Sequence, residues 1–230
     1  MQNLDTLIST LLKHEDLTVA EGMATYQKNQ FKFLGIKAPQ RRELSRDWLH
    51  QAKFEVRQRY QEQVSPYIDW PMVKDLWALD FREAQYIAAD YLKSVENYLL
   101  EEDLDQLQQL IVAKSWWDSV DVLVKRVGTL VHKYPSLKAR VLAWSQTDNI
   151  WLVRTSIIHQ LGLKEDTDLT LLSKVIDNNL ESQEFFINKA IGWALREYAK
   201  MDPEWVKKFV QERALKMSSL SQREALKNLV

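Results

Sequence analysis

Apolar side chains recur along the chain with the spacing of helical turns. Almost every segment places them at positions i, i+3, i+4 and i+7, and one stretch does so with Leu76, Leu79, Ile87, Ala88 and Tyr91. This period is typical of an amphipathic α-helix, whereas half-buried strands alternate at every second residue. Only five glycines and five prolines interrupt the 230 residues. The pattern predicts an all-α protein, and we expect no strands.

The prolines indicate where helices begin. Proline suits the first turn of a helix, because the N–H that it lacks would have no helical partner there. We therefore expect a helix to open at each of the five, namely Pro39, Pro66, Pro71, Pro135 and Pro203. Asp202 is a suitable N-cap for the helix that opens at Pro203.

A basic residue begins an apolar helical run at several points, which indicates internal repetition. These residues are Arg42, Arg82, Arg154, Lys189 and Arg223. Their spacings are 40, 72, 35 and 34 residues, and 72 is twice 36. Such a period is close to that of HEAT and armadillo repeats, whose units are helix pairs. We predict a single domain over residues 1–230, a curved α-solenoid of about six HEAT-like two-helix repeats.

The recurring cations have two interpretations. Equivalent helices of a solenoid line its concave surface, so the cations would form a basic stripe there. Alternatively, each arginine caps or bridges its own repeat. The next cation after Arg82 should stand about 36 residues later. That position is Asp118, within the segment KSWWDSVD at residues 114–121, so acids and indoles interrupt the series.

Trp117 and Asp121 in this segment form the main candidate site. They are four residues apart, so a helix places them one turn apart on the same face. An indole beside a carboxylate is suited to bind a cation, because Trp provides the strongest cation–π attraction. A Trp-rich core helix is the alternative. It explains Asp118, an acid near a helix N-terminus, but explains Asp121 poorly.

Residues 184–198 form a second candidate segment with aromatic and basic side chains. Helical spacing places four of them on one side: Phe186, Lys189, Trp193 and Arg196. Core packing is the default role of such aromatics. Gly192 is unfavourable in mid-helix, which indicates the close approach of a neighbouring helix or a ligand.

Two shorter segments add basic residues. In residues 148–154, Asp148 or Asn149 can cap a helix that carries Arg154. Residues 26–42 contain no acid, and cations beside a helix N-terminus are suited to phosphate. The cations of this segment are Lys28, Lys32, Lys37, Arg41 and Arg42.

Composition narrows the chemistry. A net charge of −1 gives no global sign of nucleic-acid binding, so a DNA site would have to be a segregated basic face. The absence of cysteine excludes disulfides and thiolate chemistry, and the four histidines are dispersed, so we expect no metal site. With no signal peptide and no apolar run of membrane-spanning length, a cytoplasmic protein is expected.

Together, these segments resemble the HEAT-like-repeat DNA glycosylases, the AlkD family of DNA alkylation repair enzymes. The resemblance covers nearly the whole chain and rests on the long, unusual segments KSWWDSVD, DNIWLVR and EFFINKAIGWALREY. It implies a concave cleft that binds duplex DNA containing alkylated bases. It also implies a monomer that needs no cofactor, metal or membrane.

The resemblance implies roles for individual residues. Asp121 matches the catalytic carboxylate, and Trp117 and Trp193 match the indoles that line the cleft. Residues that match positions near the DNA are Tyr26, Arg154, Phe185, Phe186 and Arg196. The predicted DNA-binding set also includes Lys37, Arg41 and Arg42 of the segment 26–42 and Lys189 of the segment 184–198.

The implied reaction is excision of cationic N3- and N7-alkylpurines without base flipping, which leaves an abasic site. The sequence departs from the family at Thr25, Ala38 and Gly162, positions that concern the grip on DNA. These departures keep open a DNA-binding paralog with weak or no excision. A protein-binding HEAT scaffold is a third possibility, because that is the commonest use of such solenoids.

Overall fold

Helices build the whole of the described chain, as the apolar pattern predicts. The computed structural model describes residues 4–229, and this part contains thirteen α-helices and three short 3-10 helices but no strand. An isolated parallel bridge joins Lys32 to Phe81. The all-α fold class is confirmed.

The contacts of the chain divide it into two compact units, Met1–Leu100 and Glu101–Val230. A single domain and a curved solenoid over the full length therefore stay predictions. Between residues 4 and 229, no helix has the length and apolar character that a membrane crossing requires. The cytoplasmic location also stays a prediction.

The first unit is built around its fifth helix. Its helices are α1 (Leu4–Leu12), α2 (Leu17–Tyr26), α3 (Ala38–Gln61), α4 (Trp70–Ala78) and α5 (Arg82–Ser94), followed by a 3-10 turn at Glu96–Tyr98. Helix α5 packs against α3 and α4, and α1 packs against α3. Most residues of α5 are buried, including its polar first turn, so this helix forms the centre of the unit's core.

A buried carboxylate fixes the loop between α2 and α3. Glu83 at the start of α5 is fully buried and accepts backbone N–H groups from Leu34, Gly35 and Ile36 at 3.0–3.1 Å. Gly35 has a φ of +85°, and a Cβ there would lie 2.1 Å from the backbone oxygen of Asp16. The loop that leads into Lys37 and α3 therefore has a defined shape.

The second unit consists of helix pairs stacked in two layers. Its helices are α6 (Asp103–Val112), α7 (Trp117–Lys133), α8 (Lys138–Trp144), α9 (Ile150–Ile158), α10 (Leu169–Asp177), α11 (Phe185–Tyr198), α12 (Pro203–Arg213) and α13 (Ser219–Ala225). Helices α7, α9, α11 and α13 each pack on the next and form one layer, whereas α6, α8, α10 and α12 pack beside them. This arrangement is solenoid-like, with one two-helix unit following another.

Most of the predicted helix starts are confirmed. Pro39, Pro71 and Pro203 lie in the first turns of α3, α4 and α12, and Pro135 opens a 3-10 helix. The prediction for Pro66 is wrong, because this residue lies in the connection between α3 and α4. Asp69 sets the start of α4 instead, since its carboxylate accepts the N–H of Met72 at 3.1 Å.

The predicted caps are also formed. The carboxylate of Asp202 accepts the N–H of Trp205 at 2.9 Å and caps α12. The side chain of Asn149, not Asp148, accepts the first N–H groups of α9. Both side chains satisfy amide groups that have no partner within the helix.

Candidate functional site

Helix α7 begins within the Trp-Trp-Asp segment. Trp116 is the extended residue before the helix, and Trp117 is its first residue. Asp118 lies in the first turn, where one carboxylate oxygen accepts the N–H of Ser119 at 2.8 Å. This placement confirms the structural interpretation of Asp118, because an acid is favourable at a helix N-terminus. Asp121 lies one turn after Trp117.

Asp121 is bound through both of its oxygens by Arg154 of α9. The Nε of Arg154 donates to Oδ1 at 2.8 Å, and Nη2 donates to Oδ2 at 2.7 Å. Two parallel charge-assisted hydrogen bonds of this kind fix both position and orientation. The Arg154 side chain is 6% exposed, whereas that of Asp121 is 20% exposed, so the carboxylate keeps contact with solvent.

Arg154 also links this carboxylate to α11. Its Nη1 donates to the backbone oxygen of Phe186 at 2.8 Å. Its guanidinium carbon lies 5.9 Å from the ring centroids of both Phe186 and Trp193, within the range of cation–π attraction. The structure therefore brings Asp121, Arg154, Phe186 and Trp193 together from α7, α9 and α11.

An aromatic cluster adjoins the Asp121–Arg154 pair. The ring of Phe186 lies 5.3 Å from that of Trp116, 5.0 Å from Trp151 and 5.4 Å from Phe185. Phe185 is 58% exposed, whereas Trp151 is buried. The rings of the buried Trp151 and the half-buried Trp116 pack against Phe186, and Phe185 presents an aromatic face to solvent. Sequence reasoning did not assign a site role to Trp116 or Trp151, although both lie inside the singled-out segments.

Lys189 and Arg196 of α11 share one acidic partner on α13. The Nζ of Lys189 lies 3.0 Å from Oε1 of Glu224, and Nη1 of Arg196 binds Oε2 of the same carboxylate. Hydrogen bonds from Lys189 and Arg196 lower the pKa of Glu224 from 4.5 to about 2. Sequence reasoning missed Glu224, although it directly follows Arg223 of the recurring basic series.

The basic series does not form a continuous exposed stripe within either unit. In the first unit Arg42 is exposed, but Arg82 is fully buried with its guanidinium carbon 3.7 Å from the Phe31 ring centroid. In the second unit Arg154 is buried against Asp121. The prediction of an exposed basic stripe is therefore wrong at Arg82 and Arg154. The alternative, in which each arginine caps or bridges its own repeat, does not describe Arg154 either, because its partners Asp121 and Phe186 lie on α7 and α11.

The predicted DNA-binding residues of the first unit have different environments. Tyr26 is 71% exposed, and with Lys37 it lines an open cavity that Tyr86 also borders. Lys37 and Arg42 are exposed. Arg41 is buried, lies 4.8 Å from the Tyr86 ring centroid and binds Asp90 at 3.1 Å. Tyr26, Lys37 and Arg42 are therefore accessible to a ligand, whereas the guanidinium of Arg41 is already engaged.

The fold and the site together define a class of protein. It is an all-α protein of stacked helix pairs, with a carboxylate, a paired arginine and aromatic rings on one layer of helices. Comparison with known proteins then gives the family. The chain belongs to the DNA alkylation repair enzymes, because the family model with that description matches residues 7–229.

Structural comparison agrees with the family assignment. The solved structure of a predicted DNA alkylation repair enzyme from Enterococcus faecalis is 32% identical and superposes with a TM-score of 0.82. The match covers 94% of this chain and 97% of that one. A comparison with curated proteins found no match. The family and this relative support a role in DNA repair.

Proposed function

We propose that this protein is a monofunctional DNA glycosylase that excises cationic N3- and N7-alkylpurines from duplex DNA. The observation that carries the proposal is the Asp121 carboxylate, which Arg154 holds by two hydrogen bonds while its guanidinium carbon lies 5.9 Å from the Trp193 ring centroid. A fixed anion near indole faces favours a positively charged reacting centre. We assign Asp121, Trp117 and Trp193 to this catalytic role.

The reaction needs little more than charge stabilisation and a water molecule. When the bond between C1′ and the purine nitrogen breaks, its electron pair leaves with the base and neutralises the positive charge of the base. Positive charge then develops on the deoxyribose, where an adjacent carboxylate stabilises it. Water adds to C1′ and loses a proton, so the products are a neutral alkylpurine, an abasic site and a proton.

Arg154 leaves Asp121 able to act. Each carboxylate oxygen has two acceptor positions, and Arg154 occupies one on each oxygen. The carboxylate is partly exposed, so the sugar can approach the remaining positions. Arg154 also donates a hydrogen bond to the backbone oxygen of Phe186, so its positive charge does not interact with Asp121 alone. We therefore propose that Arg154 orients Asp121 and that Arg154 itself lies close to the DNA backbone.

The proposed grip on DNA uses exposed and half-buried cations together with aromatic rings. In the second unit, Lys189 and Arg196 would contact phosphates, and the exposed Phe185 ring with Phe186 would contact the DNA. In the first unit, we assign phosphate contacts to Lys37 and Arg42 and an aromatic contact to Tyr26, with Arg41 as support. Contacts of this kind can position a duplex from its backbone, which is consistent with excision from a stacked base.

An assay of base release tests the proposal. The protein is incubated with methylated duplex DNA and the released purines are measured. We expect the wild type to release N3- and N7-methylpurines and Asp121→Asn to release them about 100-fold more slowly. Asp177→Asn is the matched control, because Asp177 forms a similar two-bond pair with Arg213 on α10 and α12. This control should retain wild-type activity.

The same assay, together with a measurement of duplex affinity over a series of salt concentrations, separates the other two candidates. The second candidate is a DNA-binding paralog with weak or no excision, which the departures from the family at Thr25, Ala38 and Gly162 favour. Such a protein would bind duplex DNA in a salt-sensitive way but release no base. A protein-binding scaffold would show no appreciable duplex affinity. Base release that depends on Asp121 contradicts both.

A further inference from the structure

One carboxylate on the last helix holds two of the proposed phosphate-binding cations. Oε1 of Glu224 lies 3.0 Å from Nζ of Lys189, and Oε2 accepts a hydrogen bond from Nη1 of Arg196. The backbone oxygen of Glu224 accepts a second bond from the same Nη1 at 3.2 Å. Glu224 therefore binds Arg196 through both its side chain and its backbone.

Helix α13 is itself fixed on α11, so Glu224 has a defined position. A Cβ on Gly192 would lie 2.4 Å from the Cβ of Glu224 and 3.1 Å from the backbone oxygen of Ser221. Ser221 is fully buried, and its hydroxyl donates to the backbone oxygen of Asn188 at 2.9 Å. The glutamate backbone cannot move away from α11 without breaking these contacts.

The anchoring determines which part of the Arg196 guanidinium remains available. Both bonds to Glu224 come from Nη1, and within residues 4–229 neither Nε nor Nη2 of Arg196 makes a hydrogen bond. The Arg196 side chain is 25% exposed. The Nε and Nη2 donors form the edge of a guanidinium that can bind two phosphate oxygens at once.

We propose that Glu224 is a positioning residue that fixes Arg196 with its Nε–Nη2 edge directed to a DNA phosphate, beside Lys189. The inference rests on the proposed DNA-binding function and adds a residue that the family resemblance does not assign. Its physical basis is preorganisation: an arginine side chain that is ordered before binding loses less conformational freedom when the phosphate arrives.

A different role for Glu224 makes the opposite prediction. If this carboxylate only neutralised Lys189 and Arg196, its removal would release both cations and would make Arg196 more important for binding. If it positions Arg196, its removal makes Arg196 less important. The sign of the coupling between the two residues therefore distinguishes the two roles, whatever the change in net charge does to affinity.

The test is a double-mutant cycle on the full chain with an unmodified duplex. Affinity is measured over a series of NaCl concentrations for the wild type, Glu224→Ala, Arg196→Ala and the double variant. We expect Arg196→Ala to lower the slope of log affinity against log salt by about one in the wild-type background. The loss of affinity that it causes should be at least about threefold smaller in the Glu224→Ala background.

Controls separate positioning from charge and from folding. Asp177→Ala removes an acid of the same unit that binds Arg213 on the other layer of helices, and Arg196→Ala should keep its full effect in that background. Thermal unfolding of each variant establishes that it is folded. If Glu224→Ala does not fold, Glu224→Gln keeps the side chain packed on Gly192, and the same sign of coupling is expected.

The result that overturns the inference is an effect of Arg196→Ala that is equal or larger when Glu224 is replaced. Wild-type binding and base release would still stand in that case, and only the role of Glu224 would fail. If the wild type neither binds duplex DNA nor releases base, the proposed function fails, and the inference fails with it.

Discussion

Arg154 donates hydrogen bonds to both oxygens of Asp121 and to the backbone oxygen of Phe186, so one side chain joins three helices at the site. At the residue scale, this makes Arg154 the determinant of where the carboxylate lies. The arrangement differs from a simple phosphate contact, because the guanidinium is buried and faces an acid.

Replacing Arg154 with lysine tests this orienting role. A lysine ammonium is a point donor and cannot reproduce the two parallel bonds of the guanidinium. We expect Arg154→Lys to slow single-turnover base release by about tenfold, because misplacement of a catalytic group lowers the rate steeply. Duplex affinity should change by less than about twofold, since the proposed phosphate contacts remain.

Arg213→Lys is the control for this prediction, because Arg213 makes an equivalent pair with Asp177 outside the site. It should leave base release unchanged. A loss of duplex affinity in Arg154→Lys, with an unchanged rate for bound DNA, would show a phosphate contact and contradict the orienting role.

The sequence indicated which residues could form this site, but it did not indicate which of them are paired. Trp117 and Asp121 could be placed on one face because helical periodicity relates residues four positions apart. The partnership of Asp121 with Arg154 spans 33 residues and depends on how α7 packs against α9. Periodicity within a single helix carries no information about that register. For the same reason the sequence did not reveal Glu224 as the partner of Lys189 and Arg196.

At the scale of elements, the contact between α11 and α13 depends on Gly192. Helix α13 lies so close that a Cβ on Gly192 would be 2.4 Å from the Cβ of Glu224. The sequence predicted this close approach, since a glycine in mid-helix is unfavourable without a packing reason, and the structure confirms it. The element that approaches could not be predicted, because it follows about one repeat later in the chain.

Gly192→Ala is expected to destabilise the protein. The added methyl group must push α13 away from α11, and overpacking of this kind costs about 1–3 kcal/mol. The free energy of unfolding from urea titration measures the effect. Gly22→Ala is the control, because a Cβ there meets no atom within 4 Å and alanine favours the α2 helix.

Gly22→Ala should therefore leave stability unchanged or raise it. A Gly192→Ala variant as stable as the wild type would contradict the close packing of the two helices.

Pro66 shows where the prediction of helix starts from the sequence fails. Its sequence context resembles a helix start, yet the cap at Asp69 places the start of α4 four residues later, at Trp70.

At the scale of the whole molecule, the net charge of −1 means that DNA binding must come from local groups of cations. The proposed phosphate contacts come from Lys37, Arg42, Lys189 and Arg196. Neutralising about four phosphates releases their counterions, so affinity should fall about 100-fold between 50 and 200 mM NaCl. Fluorescence anisotropy with a labelled duplex measures this dependence. Affinity that does not change with salt would contradict the proposed contacts.

The central claim is that Asp121 stabilises the positive charge that develops on deoxyribose. The most direct test is the single-turnover rate of base release from a duplex with one N7-methylguanine, at saturating enzyme. We predict that the wild type releases the base far faster than spontaneous loss. Asp121→Asn, which keeps an acceptor for Arg154 but removes the negative charge, should be about 100-fold slower with unchanged duplex affinity. A wild-type rate equal to spontaneous loss, or equal rates for the two proteins, would contradict the claim.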